Sequence, residues 1–157
     1  MILDTAIDVI TFAYYDSPIG VLKIGGTDLY ISQISFAENE TNPEEQSTET
    51  PAIIHDCIEQ LIEYFAGNRQ TFDLPIHQDG TEFQEKVWGK LSEIPFGSTM
   101  SYGELAKKMG DPKVVRAAAA ANGRNKLMIL VPCHRVIGAD RSLVGYAGGM
   151  PVKKWLL

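Results

Sequence analysis

The chain has 157 residues, 45% of them hydrophobic and 9% aromatic, which is enough to bury a core in one domain or two small lobes. Its net charge of -6 hides a division: residues 1–80 hold 2 Lys and Arg against 14 Asp and Glu, and residues 81–157 hold 12 against 6. No apolar run is long enough to span a membrane and no basic-then-apolar leader is seen, so a cytoplasmic protein without a membrane partner is expected.

Thr11 to Tyr15, Val21 to Gly25 and Leu29 to Phe36 are rich in β-branched and aromatic residues. Ser17-Pro18-Ile19-Gly20 and Gly25-Gly26-Thr27-Asp28 separate them as turns, which predicts an antiparallel meander. Residues 38–50 are acidic and lack apolar periodicity, the pattern of a solvated, mobile loop. Thr50-Pro51 then predicts a helix start, the hydroxyl as N-cap and proline at the first helical position. Ile53, Ile54, Cys57, Ile58, Leu61, Ile62 and Phe65 fall on one face of that helix, and Gly67 closes it. Cys57 sits in the apolar stripe and is assigned to packing. A short strand over 72–76 is expected to follow.

The second half is helical in pattern. Thr81 with Gln84 spells a capping box for a helix carrying Phe83, Val87, Trp88, Leu91 and Ile94, stopped before Pro95. Ser101 with Glu104 spells another, for a helix that buries Leu105, Ala106 and Met109 and ends at Gly110. Asp111-Pro112 starts a third at once, running to about residue 121. The pair is a candidate helix-turn-helix, although short turns between helices are common in any bundle. Its second helix reads Arg116, then Ala117 to Ala121, then Asn122-Gly123-Arg124-Asn125. Alanines suit a tightly packed helix. They also let a backbone approach a groove closely, with Arg116, Arg124 and Lys126 supplying charge. A reader of the major groove would need long bidentate side chains, which an alanine run lacks, so shape-driven entry into a narrow groove fits better.

Pro132-Cys133-His134-Arg135-Val136 is the stretch with the most chemistry in it. It follows an apolar run (Leu127, Ile129, Leu130, Val131) that reads as a buried strand, with the thiol presented at its edge. A cysteine attacks as its thiolate, and an adjacent imidazole can help remove the proton. A lone cysteine is also commonly a small buried hydrophobe, and Cys-His neighbours occur in metal sites. Cys57 and Cys133 lie far apart and suggest no disulfide framework, as in a reducing compartment.

Taken together, GTEFQEKVW (80–88), IPFGSTMSYGELA (94–106), RAAAAANGRN (116–125), VPCHRVIG (131–138), GYAGG (145–149) and KKWLL (153–157) resemble the O6-alkylguanine-DNA alkyltransferases, or methylated-DNA–protein-cysteine methyltransferases. Ser17-Pro18-Ile19-Gly20 matches the family's N-terminal turn. The resemblance implies an α/β fold. Residues 1–76 would form a ribonuclease-H-like lobe of antiparallel strands with a helix. Residues 77–157 would form a helical DNA-binding and alkyl-acceptor lobe, with the helix-turn-helix beside the reactive cysteine. It implies binding of double-stranded DNA through the minor groove and flipping of an O6-alkylguanine into a pocket. The Cys133 thiolate would take the alkyl group irreversibly, so each molecule acts once, without cofactor.

Roles carry over position by position from that resemblance. Tyr102 would neutralise charge on the leaving guanine, or merely pack at the start of its helix. His134 would relay the thiol proton, and Arg135 would anchor structure. Arg116 would fill the gap left by the flipped base, or contact a phosphate. Ala117, Ala121, Gly123 and Arg124 would lie along the DNA. Asn125 would hold the turn between recognition helix and cysteine. Tyr146 would wall the pocket, with the Ala147 N–H near O6 and the carbonyls of Cys133 and Val136 accepting from the guanine amino group. Gly148-Gly149 would permit a close turn there.

Two departures accompany the likeness. The family pattern places a glutamate that orients the histidine a few residues beyond Leu157, so a longer chain or a tail is expected to supply it. Without that acid His134 would be a weaker base. Some members hold zinc in the N-terminal lobe, but Cys57, His55 and His77 lack paired ligand spacing, and no metal is expected. A second reading is a non-catalytic lesion-binding protein of the alkyltransferase-like type. Those relatives replace the cysteine, usually by tryptophan, and this chain keeps it. A helix-turn-helix regulator with a redox cysteine would need a partner thiol, for which Cys57 is poorly placed. A monomer is expected, with cooperativity on DNA, the alkyl sizes admitted and activity on O4-alkylthymine left open.

Overall fold

A computed structural model describes residues 10–37, 50–138 and 156. The chain divides into two compact units, Met1–Gln78 and Asp79–Leu157.

In the first unit, β1 (Thr11–Ser17), β2 (Gly20–Gly26) and β3 (Ile31–Phe36) form an antiparallel sheet in the order β1-β2-β3. The turn between β1 and β2 is fixed by the Ser17 hydroxyl, which donates to the Gly20 carbonyl at 2.6 Å and accepts from the Ile19 N–H. Gly20 takes a positive φ there. The register pairs Ala13 with Ile24 and Ile24 with Ile34, so one face collects Ala13, Leu22, Ile24 and Ile34, all buried. A bulge at Gly25/Gly26 ends the β2–β3 ladder. Only glycine fits at position 26, since an added Cβ would lie 2.6 Å from the Tyr30 carbonyl oxygen.

The helix α1 (Ala52–Phe65) packs against all three strands. Pro51 itself holds the N-cap position and no side chain caps the helix, so the expected threonine cap with proline inside is off by one residue. The buried face is Ile54, Cys57, Gln60, Leu61 and Tyr64. Ile62, expected inside, is exposed, and Gln60 goes in with both its amide nitrogen and its amide oxygen hydrogen-bonded. Gln60 Nε2 donates to the Asp73 carbonyl at 3.1 Å, and the Asp73 N–H donates to Oε1 at 2.9 Å. The strand expected over 72–76 reduces to one parallel bridge between Ile31 and Ile76. Ile31 N–H donates to the Pro75 carbonyl and His77 N–H to that of Ile31. Pro75 has no N–H with which to extend the ladder.

The second unit is built on α2 (Glu82–Leu91), α3 (Tyr102–Lys108) and α4 (Val115–Gly123), each packed on the other two. Both capping boxes form as expected. Thr81 and Gln84 exchange side-chain hydrogen bonds with each other's backbone, and so do Ser101 and Glu104. Gly110, at φ 95, ends α3, and a 3-10 turn over Pro112–Val114 leads into α4. Asp111 caps that turn by accepting from the Lys113 N–H at 2.9 Å. This is the helix-turn-helix. The Trp88 indole N–H donates to the Ala121 carbonyl at 2.9 Å and ties α2 to α4.

The buried strand expected over 127–131 is absent. Leu127, Met128, Ile129 and Val131 are buried, but only Leu127 is in a β-bridge, and Met128 to Val131 lie in turns and a bend. Val131 N–H donates back to the Leu127 carbonyl, and Leu130 N–H to that of Met128. Among the described residues the backbone of this run bonds to itself and to Asn125. Ile129 stands at φ 75, an uncommon conformation for a β-branched residue. The strand comes later: β5 (Val136–Ile137) pairs in parallel with β4 (Met100–Ser101), Met100 against Val136 and Ser101 against Ile137.

Burial and the neighbouring Asp56 push the Cys57 thiol up to about 12 from its ordinary 9.0. The folded protein therefore keeps a proton that the unfolded chain releases above pH 9.0. Stability falls with pH from there to about 12. Cys57→Val should reduce that slope in alkaline denaturation curves, and iodoacetamide at pH 8 should leave Cys57 unmodified in the native state, as mass mapping will read.

Candidate active site

Cys133 opens a 3-10 turn, Cys133–Arg135, directly after Pro132. The turn is closed by Arg135 N–H to the Pro132 carbonyl at 3.0 Å and by Val136 N–H to the Cys133 carbonyl. Cys133 is 4% exposed and His134 0%, so the thiol is enclosed rather than displayed at a strand edge. Arg135 is buried too. Its Nη1 donates to the Ile94 carbonyl at 2.8 Å, and its guanidinium lies 5.7 Å from the Phe96 ring centre. It anchors to a carbonyl and an aromatic face.

Asn125 holds the turn that leads from α4 to the cysteine. Its Oδ1 accepts from Leu127 N–H at 3.1 Å, and its Nδ2 donates to the Val131 carbonyl at 2.9 Å. One side chain thereby spans the whole turn, as asparagine does in shorter ones.

The β4–β5 pairing sets the Cys133 turn beside the N-terminus of α3, where Tyr102 is the first helical residue. Tyr102 is half-buried. Burial raises the pKa of its phenol, the charge of the Cys133 thiolate raises it further, and the Asn122 side chain opposes both. Tyr102 thus stays protonated beyond pH 10 and lies within electrostatic reach of the cysteine. Asn122, on α4, also donates from Nδ2 to the Cys133 carbonyl at 3.4 Å. Asn122 is a site-facing residue that no sequence motif marks. Its only signal was a lone amide at the end of an alanine run.

On α4 and its C-cap the exposed residues are Arg116, Ala117, Ala120, Gly123 and the capping Arg124, which share one face at helical spacing. Ala118, Ala121 and Asn122 face inward. Ala121, expected along the DNA, is 2% exposed and carries the Trp88 hydrogen bond on its carbonyl. Ala120 stands on the outer face instead. The outer face offers two guanidinium groups around a smooth strip of backbone and methyl groups. Val136 is buried in β5. Tyr146, Ala147 and Gly148-Gly149 lie outside the described residues. A cleft lined by Phe96, Gly97, Ser98, Thr99, Arg135 and Leu156 includes neither Cys133 nor Tyr102. Among the described residues no group of His, Cys, Asp and Glu could hold a metal ion, and no helix is long and apolar enough to cross a membrane.

A helix-turn-helix with an enclosed Cys-His turn held at its first helix defines a DNA-binding protein class with a thiol at its centre. Two family models match: the 6-O-methylguanine DNA methyltransferase DNA binding domain over residues 82–157, and the ribonuclease-like domain of the same enzymes over residues 10–78. The methylated-DNA–protein-cysteine methyltransferase of Methanosarcina acetivorans is 42% identical over 148 residues, covering 93% of this chain and 95% of that one. The constitutive enzyme of Bacillus subtilis is 46% identical over 149 residues, 90% of each. The Mycobacterium tuberculosis protein OGT, solved in complex with DNA, superposes with a TM-score of 0.83 at 40% identity, covering 93% of this chain and 89% of that one. The chain belongs to the methylated-DNA–protein-cysteine methyltransferase family.

Asn125→Ala would leave the Leu127 N–H without its partner and remove one of the two hydrogen bonds on the Val131 carbonyl, which also accepts from the Cys133 N–H, in a half-buried turn. The expected loss is about 1–3 kcal/mol in urea denaturation, the usual cost of stranding buried polar groups.

Proposed function

We propose that this protein repairs DNA by transferring an alkyl group from O6-alkylguanine in duplex DNA to Cys133. The observation that carries the reading is the enclosed Cys133-His134 turn beside Tyr102, in a chain whose relatives over nine-tenths of its length are cysteine methyltransferases by name. The N-terminal unit serves as the ribonuclease-like lobe, and the second unit binds DNA and accepts the alkyl group.

The outer face of α4 enters the minor groove. Arg116 fills the gap left by the extruded base, and Ala117, Gly123 and Arg124 run along the strand. Enclosure of Cys133 requires that the base come to the thiol, which a stacked guanine cannot do. His134 takes the thiol proton. The sulfur then attacks the alkyl carbon, the S–C bond forms, and the C–O6 bond breaks with its electron pair passing to the purine. Tyr102, protonated at neutral pH, donates its hydrogen to the charge that develops there. Val136 and Asn125, with Tyr146 and Ala147, shape the pocket. The thioether is not reopened, so one molecule repairs one lesion without cofactor or metal. The protein acts as a monomer in the cytoplasm.

Intact-protein mass after incubation with a duplex carrying one O6-methylguanine tests this. Cys133 should gain the mass that replaces one hydrogen by a methyl, and Cys133→Ser should gain nothing. Lesion-selective binding with no gain would replace the proposal with a non-catalytic lesion-binding role.

DNA affinity should fall with salt, and Arg124→Ala should reduce the slope of log K against log salt by about 0.9, one phosphate contact. An unchanged slope would remove Arg124 from the interface.

A further inference from the structure

The helix α2 touches both halves of the site, packing on α4 and on the Cys133–Arg135 turn. Towards α4 the contact is Trp88, 5% exposed, whose indole N–H donates to the Ala121 carbonyl at 2.9 Å in a buried hydrogen bond. That carbonyl stands in the last turn of α4, where helical donors run out. The Asn125 N–H, which a continuing helix would direct to it, goes to the Asn122 carbonyl, and the Arg124 N–H reaches it at 3.1 Å. The indole therefore supplies, from another helix, a donor to the point where α4 ends. Towards the cysteine the contact is Ile94, just past α2. Its N–H donates to the Leu91 carbonyl at 3.0 Å, and its own carbonyl accepts from Arg135 Nη1 at 2.8 Å.

We infer that Trp88 is a positioning residue for alkyl transfer: its indole N–H fixes the end of α4 on the same stretch of chain that holds the Cys133 turn, and so sets the offset between the groove-facing helix and the thiol. The inference rests on the reading that the outer face of α4 enters DNA and that Cys133 accepts the alkyl group. Ala118 and Ala121 present only methyl groups inward, so interlocking side chains do little to fix where α4 lies along α2, and a directional hydrogen bond does it instead. The stretch from Trp88 to Ile94 is itself tied down, because the Ser92 N–H and hydroxyl donate to the Trp88 carbonyl at 3.1 and 3.2 Å. The ring is also backed closely by chain, since a Cβ added at Gly80 would lie 2.5 Å from Trp88 Cη2. A base extruded from a duplex on one side of α4 must bring its alkyl carbon to a sulfur on the other. An error of about 1 Å in such a placement can cost about a hundredfold in rate.

The test replaces Trp88 by 3-benzothienylalanine, which keeps the two-ring shape and puts sulfur where the N–H stands. The parent carries Trp155→Phe, so that position 88 holds the sole tryptophan. Single-turnover methyl transfer from a saturating O6-methylguanine duplex should slow about tenfold to a hundredfold. Affinity for the undamaged duplex, measured in the Cys133→Ser background, should stay within about twofold, since the outer face of α4 is unchanged. The rate at which iodomethane alkylates Cys133 without DNA, read by peptide mass, should also stay within about twofold, since the thiol turn keeps its own hold on Ile94. A residue that merely stabilised the fold would move the transfer and iodomethane rates together, or neither.

An unchanged transfer rate, or an iodomethane rate that falls by the same factor, would overturn the inference and leave Trp88 a packing residue. Loss of duplex affinity with the saturating transfer rate intact would overturn it too. Should the substituted chain fail to fold, Gly80→Ala displaces the same indole while keeping its N–H. It should slow transfer, and by less in a Trp88→Phe parent; an unchanged rate, or equal slowing in both, would overturn the inference. If the parent itself gains no methyl on Cys133, the reading beneath fails first, and its mass shows this before any variant is compared.

Discussion

Two hydrogen-bonded residue pairs between β4 and β5 are the constraint on which the second unit depends. Parallel strands cannot be joined by a tight turn, and here the connection is the helix-turn-helix and the Asn125 turn together. Pairing Met100 with Val136 fixes both ends of that connection. One end is the capped start of α3, which places Tyr102. The other is the 3-10 turn that places Cys133 and His134. Neither strand is long enough to be stable alone. The pairing persists because Met100, Val136 and Ile137 are buried and because Arg135 reaches back to the Ile94 carbonyl just ahead of β4.

The helix α4 has two incompatible surfaces. Inward, Ala118 and Ala121 let α2 and α3 pack closely, and the Trp88 indole takes a carbonyl near the end of the helix. Outward, the same small residue type leaves the backbone accessible between Arg116 and Arg124. Alanine serves both sides for one reason, the absence of a long side chain, so the run can be read as core or as interface from sequence with equal ease. The fold separates the two, and the separation moves Ala121 inward and Ala120 outward.

What was legible in the sequence was what local chemistry decides. Both capping boxes, the Ser17–Gly20 turn, the strand meander and the helix-turn-helix are set by residues within a few positions of each other. What was not legible depended on distant partners. Ile62 and Gln60 exchange places because Asp73 offers backbone groups to an amide. The run from Leu127 to Val131 has the composition of a strand, but it turns back on itself, with Asn125 bonded to its two ends. Short apolar runs do not reveal by periodicity which of these will happen. Asn122 was invisible for the same reason, since it donates to the carbonyl of Cys133, 11 positions away. The thiol and imidazole at the centre were legible as chemistry, but their enclosure was not.

That enclosure bears on economy. A group that is consumed by its own reaction must be protected from every other reaction it could undergo. Cys133 is 4% exposed, and Cys57 keeps its proton to about pH 12. Small electrophiles diffusing in water therefore meet little accessible thiol, and under the proposed transfer the acceptor is spent on a reactant that a docked duplex carries inward. Selectivity in such a protein is less a matter of preferring one alkyl donor over another than of refusing all that arrive without DNA.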